Sequence, residues 1–281
     1  MRFDSLEVEL VSDGVVMADA GGPFGLVPRK LWEKVIAPDE QNRVPMALTC
    51  LLLRSRGKTI VVDTGLGTKL TQKEAQAWDL RRPQGSLLDG LARLGVLPGD
   101  VDLVLDTHLH WDHCGGNTVL DGGQVRAAFP NAEYWVQYLE WADALRPNER
   151  TRATYLPENY VPLWTAGRLR LLHGDTPATP EVRCVVTRGH TRGHQSILLE
   201  AGSWSGLFVA DMTSFAVHME RLAWVTAYDV EPLETIDTKR QWQAWALERD
   251  VLLIFEHDTQ VPLGRLVKED GKVRVQRVGE D

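Results

Sequence analysis

The sequence predicts an α/β fold with a mixed β-sheet, and two observations carry this prediction. Segments of strand and helix character alternate along the chain, which is typical of α/β proteins. Paired strand segments occur near both ends, which indicates antiparallel hairpins beside the parallel strands. The 281-residue chain is 43% hydrophobic and 25% charged, the composition of a globular protein that buries a full core.

The predicted strands are short apolar runs bounded by turn residues such as Gly14 and Arg56-Gly57. They span residues 6–11, 46–53, 59–62, 101–105, 133–136, 181–187, 196–199, 206–209 and 251–255. The predicted helices span residues 71–80, 86–94, 137–145 and 234–248, and the tail 266–281 reads as a hairpin. No linker or internal repeat divides the sequence, so we expect one domain over residues 1–281.

Charge and cysteine content exclude several classes of protein. The net charge of −8 disfavours nucleic-acid binding, and the longest apolar runs are too short for a membrane span. Asp4 and Glu7 stand where a signal peptide needs an apolar run, and three scattered cysteines suit a reducing compartment. We therefore expect a cytoplasmic protein with a small-molecule substrate, no nucleic acid and no membrane partner. Its oligomeric state is left open, with a homodimer as one option.

The strongest motif is Thr107-His108-Leu109-His110-Trp111-Asp112-His113, directly after a predicted strand. Three imidazoles and a carboxylate within six residues form a ligand set suited to zinc or another divalent first-row metal. In strand geometry His108 and His110 share a face, and the following turn returns Asp112 and His113 towards it. The alternative is a solvated polar turn, but so many titratable groups converging at a strand end favour a metal site.

Three further polar positions follow apolar strands. They are His190, Asp211 and His257. Because α/β proteins gather their active sites beyond the carboxyl ends of strands, these residues are candidates for the same site.

The order of these motifs resembles that of the metallo-β-lactamase superfamily. His-x-His-x-Asp-His lies at 108–113, Gly-His-Thr-x-Gly-His at 189–194, and Asp63-Thr64-Gly65 matches another signature of the family. The resemblance covers roughly residues 46–258 and is strongest to the branch of N-acyl-homoserine lactonases, organophosphate hydrolases and glyoxalase II. It implies a four-layer αββα sandwich of two mixed sheets, with the site at one edge between them.

Carried over residue by residue, the resemblance implies a dinuclear centre of two divalent ions, most readily Zn²⁺, with Mn, Fe or Co as alternatives. One ion is held by His108, His110 and His190, the other by Asp112, His113 and His257, with Asp211 bridging them. Asp63 and His194 are expected to support these ligands from behind. A hydroxide between the metals attacks the substrate, and Asp112 or Asp211 carries the proton to the leaving group.

The expected substrate pocket departs from the family pattern. Lactonases of this branch have a tyrosine three residues after the bridging aspartate, whereas this chain has Ser214 there. Either Ser214 or a metal is therefore expected to polarise the carbonyl instead. Trp111, Phe215 and Tyr155 are further expected pocket residues. Glu256 precedes His257 where glycine is common, so a charge is expected near the metals.

These features predict a hydrolase of a small ester, lactone or phosphoester. One alternative is a thioester hydrolase like glyoxalase II, although the predicted hairpin at the carboxyl end replaces the basic helical region of that enzyme. Another is a non-hydrolytic metal-binding or redox protein of the same fold, although a flavin domain is missing. A nucleic-acid phosphodiesterase is disfavoured by the charge.

Overall fold

The structure is a computed structural model that describes residues 1–279. Its first sheet has seven strands, antiparallel on one side and parallel on the other. In spatial order these strands are β1 (Arg2–Phe3), β2 (Leu6–Asp19), β3 (Arg43–Ser55), β4 (Lys58–Val62), β5 (Leu103–Leu105), β8 (Glu133–Gln137) and β9 (Leu169–Leu172). A separate hairpin consists of β6 (Thr118–Asp121) and β7 (Gln124–Ala127).

The second sheet also has seven strands, and only the pair in its middle is parallel. Its strands are β10 (Thr176–Pro177), β11 (Val182–Val186), β12 (Gln195–Ala201), β13 (Trp204–Phe208), β14 (Leu252–Ile254), β15 (Leu263–Glu269) and β16 (Lys272–Arg277). The last two form the hairpin that the sequence predicts around Asp270-Gly271.

Nine α-helices connect the strands within residues 1–279. They are α1 (Gly21–Phe24), α2 (Arg29–Trp32), α3 (Gln72–Ala77), α4 (Leu87–Arg93), α5 (Trp111–Cys114), α6 (Tyr138–Leu145), α7 (Val161–Thr165), α8 (Ala216–Glu220) and α9 (Pro232–Arg249). Capping boxes start two predicted helices: Thr71 and Glu74 cap α3, and Ser86 and Asp89 cap α4. No helix of residues 1–279 is both long and apolar enough to cross a bilayer.

Apolar side chains on both faces of the sheets build four layers. In β3, Leu51 and Leu53 point into the core between the sheets, whereas Cys50 and Leu52 pack under α4 on the outer face. In β14, Ile254 joins the inner core and Leu253 the outer cluster beneath α9. Because both faces are buried, these strands are continuous apolar runs rather than alternating ones. The predicted αββα sandwich is confirmed.

Each predicted strand and helix is present in the structure and differs from the prediction at its ends, whereas the short strands β1, β6, β7, β9 and β10 and the short helices α1, α2, α5, α7 and α8 are not among the predicted elements. The first predicted strand ends at residue 11, but β2 continues to Asp19 through a β-bulge between Ser12 and Val15. The helix predicted at 71–80 covers only Gln72–Ala77. The strand predicted from residue 101 begins at Leu103. Residues 280 and 281, the end of the predicted tail segment, lie outside the described residues.

Candidate metal centre

The predicted metal ligands all follow the carboxyl ends of strands at one edge of the sandwich. His108 and His110 lie in the loop after β5, which leads into helix α5 with Asp112 and His113. The other three come from the second sheet: His190 follows β11, Asp211 lies in a 3₁₀ turn after β13, and His257 follows β14. Both sheets therefore contribute ligands to a single centre.

The first group of ligands is His108, His110, His190 and Asp211, all buried. His110 Nδ1 lies 3.1 Å from His190 Nε2, and His190 Nε2 lies 3.1 Å from Asp211 Oδ2. His108 Nε2 is 3.9 Å from the same carboxylate oxygen. Four potential donor atoms thus surround one small space.

The second group is Asp112, His113 and His257. His113 Nε2 lies 3.2 Å from His257 Nε2 and 3.8 Å from Asp112 Oδ2. Asp211 also reaches this group, since its Oδ1 is 3.1 Å from His257 Nε2 and its Oδ2 is 3.5 Å from His113 Nε2. The Asp211 carboxylate therefore stands between the two groups, the position expected of a bridging ligand.

The chemistry of the donors fits divalent cations. His108 Nε2 is buried without a hydrogen-bond partner, which is unfavourable unless another group fills the space. Burial and the surrounding imidazoles lower the pKa values of His108 and His110 well below the ordinary histidine value. Both rings are therefore neutral at pH 7, the form whose nitrogen lone pair binds a metal.

Four of the histidines are oriented through the ring nitrogen that faces away from the centre. The Nδ1 partners are Thr107 Oγ1 for His108 (3.1 Å), Asp63 Oδ2 for His113 (3.0 Å), Asp229 Oδ1 for His190 (3.0 Å) and the Ala47 carbonyl for His257 (2.7 Å). When Nδ1–H donates to such a partner, the Nε2 lone pair points at the centre, which is the usual arrangement of metal-bound histidines. Asp229 and Ala47 are partners that the sequence did not indicate.

Asp63 and His194 hold the ligand segments in place. Asp63 accepts hydrogen bonds from the Thr107 backbone N–H and hydroxyl, both at 2.7 Å, and so fixes the start of the ligand loop. His194 Nδ1 lies 3.0 Å from the Thr187 carbonyl, while its Nε2 accepts from the Asp211 backbone N–H at 3.2 Å. His194 thus contacts the backbone of the ligand Asp211, and its ring nitrogens do not face the space between the ligands.

The charges of the centre are strongly coupled. Burial opposes ionisation of Asp211, but the rings of His190 and His257 outweigh it and hold the pKa of this carboxyl well below its usual range. Burial alone would lower the pKa of His257, yet the Asp211 carboxylate raises it to about 9. In the metal-free protein Asp211 is therefore ionised, and the protonated His257 ring, 3.1 Å away, balances its charge.

Glu256 is the charge that the sequence placed near the metals. Its side chain is fully buried, and Oε1 lies 3.2 Å from His113 Nδ1, beside Asp63. Burial raises the pKa of this carboxyl above its ordinary value. Glu256 therefore lies behind His113, away from the Nε2 atom that faces the centre.

A cleft of about 180 Å³ opens beside the ligands and is mostly apolar. It is lined by Val16, Ala18, Met46, Trp78, His110, Trp111, Asp112, Ala153, Thr154, His190, Asp211 and Tyr228. The rings of Trp78 and Trp111 pack at 4.7 Å between centroids and form one wall. Trp111, an expected pocket residue, lines the cleft. Trp78 and Tyr228 also line it, and the sequence does not indicate either of them.

The structure places three of the expected pocket residues outside the lining of this cleft. Ser214 donates to Asp211 Oδ1 at 3.0 Å, so its hydroxyl is already engaged. Phe215 is packed against Phe24 in the core. The Tyr155 hydroxyl donates to the buried Glu140 carboxylate at 2.9 Å. Each of these side chains is held by an interaction inside the protein, and none of the three lines the cleft.

Comparison with known proteins agrees with this geometry. The family model of the metallo-beta-lactamase superfamily matches residues 44–257. An N-acyl homoserine lactonase of Bacillus thuringiensis is 28% identical over 222 residues, which are 75% of this chain and 81% of that protein.

Solved structures show the same fold. A probable metal-dependent hydrolase from Staphylococcus aureus superposes with a TM-score of 0.88 at 26% identity, covering 99% of this chain and 100% of that one. AidC, a dizinc quorum-quenching lactonase in complex with a product, gives 0.82 at 18% identity, covering 99% and 96%.

Proposed function

The chain belongs to the metallo-beta-lactamase superfamily, and from this premise we propose that it is a hydrolase that binds two divalent metal ions, zinc foremost, and cleaves a small lactone or ester. The observation that carries the proposal is the position of Asp211, with Oδ1 towards His257 and Oδ2 towards His190 and His113. A carboxylate that lies between two groups of potential ligands suits a pair of cations better than a single cation.

Each residue of the centre has a role in the proposed hydrolysis. Two divalent ions in such a site lower the pKa of a water molecule and polarise the carbonyl oxygen of a substrate. His108, His110 and His190 would hold one ion, and Asp112, His113 and His257 would hold the other. Asp211 is positioned by the Ser214 hydroxyl and by His257, and it would connect the two groups of ligands.

Asp112 is the carboxylate best placed to move a proton. It lines the cleft, and its side chain is 23% exposed, whereas both oxygens of Asp211 are engaged by neighbouring side chains. In hydrolysis the attacking water loses a proton and the leaving oxygen gains one. We assign this transfer to the Asp112 carboxylate, which faces the space where both oxygens must lie.

The lining of the cleft supports a substrate with an apolar part. Val16, Ala18 and Met46 face the Trp78 and Trp111 wall across it. Such a surface favours an acyl or aryl group over a charged one, because the apolar group leaves water on binding. The similarity to an N-acyl homoserine lactonase makes a lactone the first substrate class to test, followed by simple esters.

The test combines metal content with a panel of lactones, aryl esters, thioesters and phosphotriesters. We expect about two zinc ions per chain and fastest turnover of a lactone or ester. Asp211→Asn keeps the side-chain shape but removes the charge, so kcat should fall by about 10³-fold and metal content should drop. Asp237→Asn, an exposed change on α9, is the matched control. Undiminished turnover by Asp211→Asn, or a metal-loaded wild type without turnover, would contradict the proposal.

A further inference from the structure

Two residues with hydroxyl groups line the cleft, Tyr228 and Thr154. The Thr154 hydroxyl donates to the Thr151 carbonyl at 2.8 Å and is therefore engaged. Within residues 1–279, the Tyr228 hydroxyl has no hydrogen-bond partner, although it lies in the same cleft as Asp112 and Asp211. It is thus the one hydroxyl of the cleft lining that is free to bind a ligand.

The segment after Asp211 supplies no such group to the cleft. Ser214 donates to Asp211 itself, Phe215 is part of the core, and Met212 is buried. A hydroxyl that donates to a substrate oxygen in the cleft therefore has to come from another part of the chain.

The backbone on both sides of Tyr228 is anchored to the centre. The Arg150 guanidinium donates to the carbonyls of Ala227 (2.6 Å) and Asp229 (2.8 Å). The Asp229 carboxylate in turn holds Nδ1 of the metal ligand His190 at 3.0 Å. Tyr228 therefore sits on a segment whose position is tied directly to the ligand set, and such support makes a contact precise enough for chemistry.

Gly22 provides the space in which the ring lies. The Ala227 backbone N–H donates to the Gly22 carbonyl at 2.8 Å, which brings this part of the chain next to Tyr228. A methyl group added at Gly22 would stand 1.8 Å from Tyr228 Oη. The absence of a side chain at position 22 is thus a condition for the observed position of the phenol.

The environment keeps the phenol protonated. Tyr228 is 39% exposed, but its packing in the cleft wall and the nearby carboxylates of Asp112 and Asp211 raise its pKa above the usual value. At neutral pH the group is a neutral O–H donor, which an ester or lactone oxygen can accept.

We propose that the Tyr228 hydroxyl binds the carbonyl oxygen of the substrate and stabilises the negative charge that develops on it during attack, an inference that rests on the proposed hydrolysis of a lactone or ester. The chain would thus use a donor from the segment before α9 in place of one from the segment after Asp211. A donor fixed before the reaction begins lowers the barrier, because the protein does not have to reorganise as the charge forms.

Tyr228→Phe tests this role because it removes only the oxygen. We expect kcat to fall about 10- to 100-fold with KM changed less than about threefold, since the contact strengthens in the transition state. Metal content and thermal midpoint should equal those of the wild type. Tyr138→Phe is the matched control, because Tyr138 is 46% exposed on α6 and stacks on His173 outside the cleft.

Gly22→Ala provides a second variant that leaves the hydroxyl in the chain but displaces it. Its kcat should fall to a similar extent, with metal content unchanged. An active wild type that Tyr228→Phe matches in kcat would overturn this inference and leave the proposed hydrolase function standing. A metal-loaded wild type that cleaves no lactone or ester would overturn both.

Discussion

At the scale of single residues, the four histidines whose Nε2 atom faces the centre differ in the group that contacts their Nδ1 atom. Carboxylates hold the Nδ1 atoms of His113 and His190, whereas a hydroxyl and a backbone carbonyl hold those of His108 and His257. A carboxylate makes an imidazole a stronger electron donor than a neutral acceptor does. One ligand with carboxylate support lies in each group, so we expect the two proposed ions to be bound with comparable strength.

Asp229→Asn should weaken metal binding although it replaces none of the proposed ligands. The amide keeps the size of the side chain but removes the charge behind His190, and such changes lower metal affinity by about 10- to 100-fold. Competition with a chromophoric chelator measures the affinity. Asp121→Asn, an exposed change in the β6–β7 hairpin, is the control. Equal affinity of Asp229→Asn and wild type would show that Asp229 only fills space.

The sequence indicates the ligands and two of their supports, Asp63 and His194, but not Asp229, for a physical reason. His108, His110, Asp112 and His113 are close in the chain, so the spacing alone suggests a metal site. Asp229 lies thirty-nine positions from His190, and only the tertiary fold brings the two together. Tyr228 and Trp78 also reach the cleft only through the tertiary fold. Trp78 lies within the helix predicted at 71–80, and Tyr228 lies before the helix predicted at 234–248.

At the scale of elements, polar residues inside strands limit what the sequence reveals. Ser12-Asp13-Gly14 reads as a turn, and the first strand is therefore predicted to end at residue 11. In the structure the chain bulges there and β2 continues, while buried Asp13 accepts hydrogen bonds from the backbone of Gly67 and Leu87 and pairs with Arg82. A polar residue that is satisfied by distant partners cannot be distinguished from a turn residue by local pattern.

Glu181, just before β11, should contribute stability that depends on pH. Hydrogen bonds from Ser5, Ser55 and Arg56 outweigh burial and lower its pKa to about 2, below the ordinary glutamate value of 4.5. Because the folded pKa is depressed, the contribution is present above pH 4.5 and is lost as pH falls towards 2. Glu181→Gln should lower the free energy of unfolding by about 1–2 kcal/mol at pH 7.

Denaturant titrations of Glu181→Gln and wild type at several pH values measure this effect. The difference between the two proteins should shrink steadily below pH 4.5 and nearly vanish near pH 2. Glu200→Gln, an exposed change on the neighbouring strand β12, controls for the loss of a negative charge. A difference that is independent of pH would mean that the Glu181 side chain acts by packing rather than by its charge.

At the scale of the whole molecule, the centre joins the two halves of the sandwich. The ligands of residues 108–113 belong to the first sheet, and His190, Asp211 and His257 belong to the second. Each group of ligands, completed by Asp211, therefore includes side chains from both sheets. The alternation of strands and helices predicts the α/β class, and the position of the ligands after strands makes them candidates for one site. The two packed sheets, with the site at the edge between them, are what the resemblance to the metallo-β-lactamase superfamily implies.

Removal of the metals should therefore weaken the packing of one sheet on the other. Ions that bind only the folded protein stabilise it by about 2.7–4 kcal/mol at 100 to 1,000 times the dissociation constant. For a protein of this size that corresponds to a rise in thermal midpoint of about 5–15 °C. Chelation should lower the midpoint by this amount, and added zinc should restore it. In Asp211→Asn, which lacks the charge shared by both groups, added zinc should raise the midpoint far less. An unchanged thermal midpoint of the wild type after chelation would contradict this prediction. The protein alone would then hold the ligands in place, and the ions would not stabilise the packing of the two sheets.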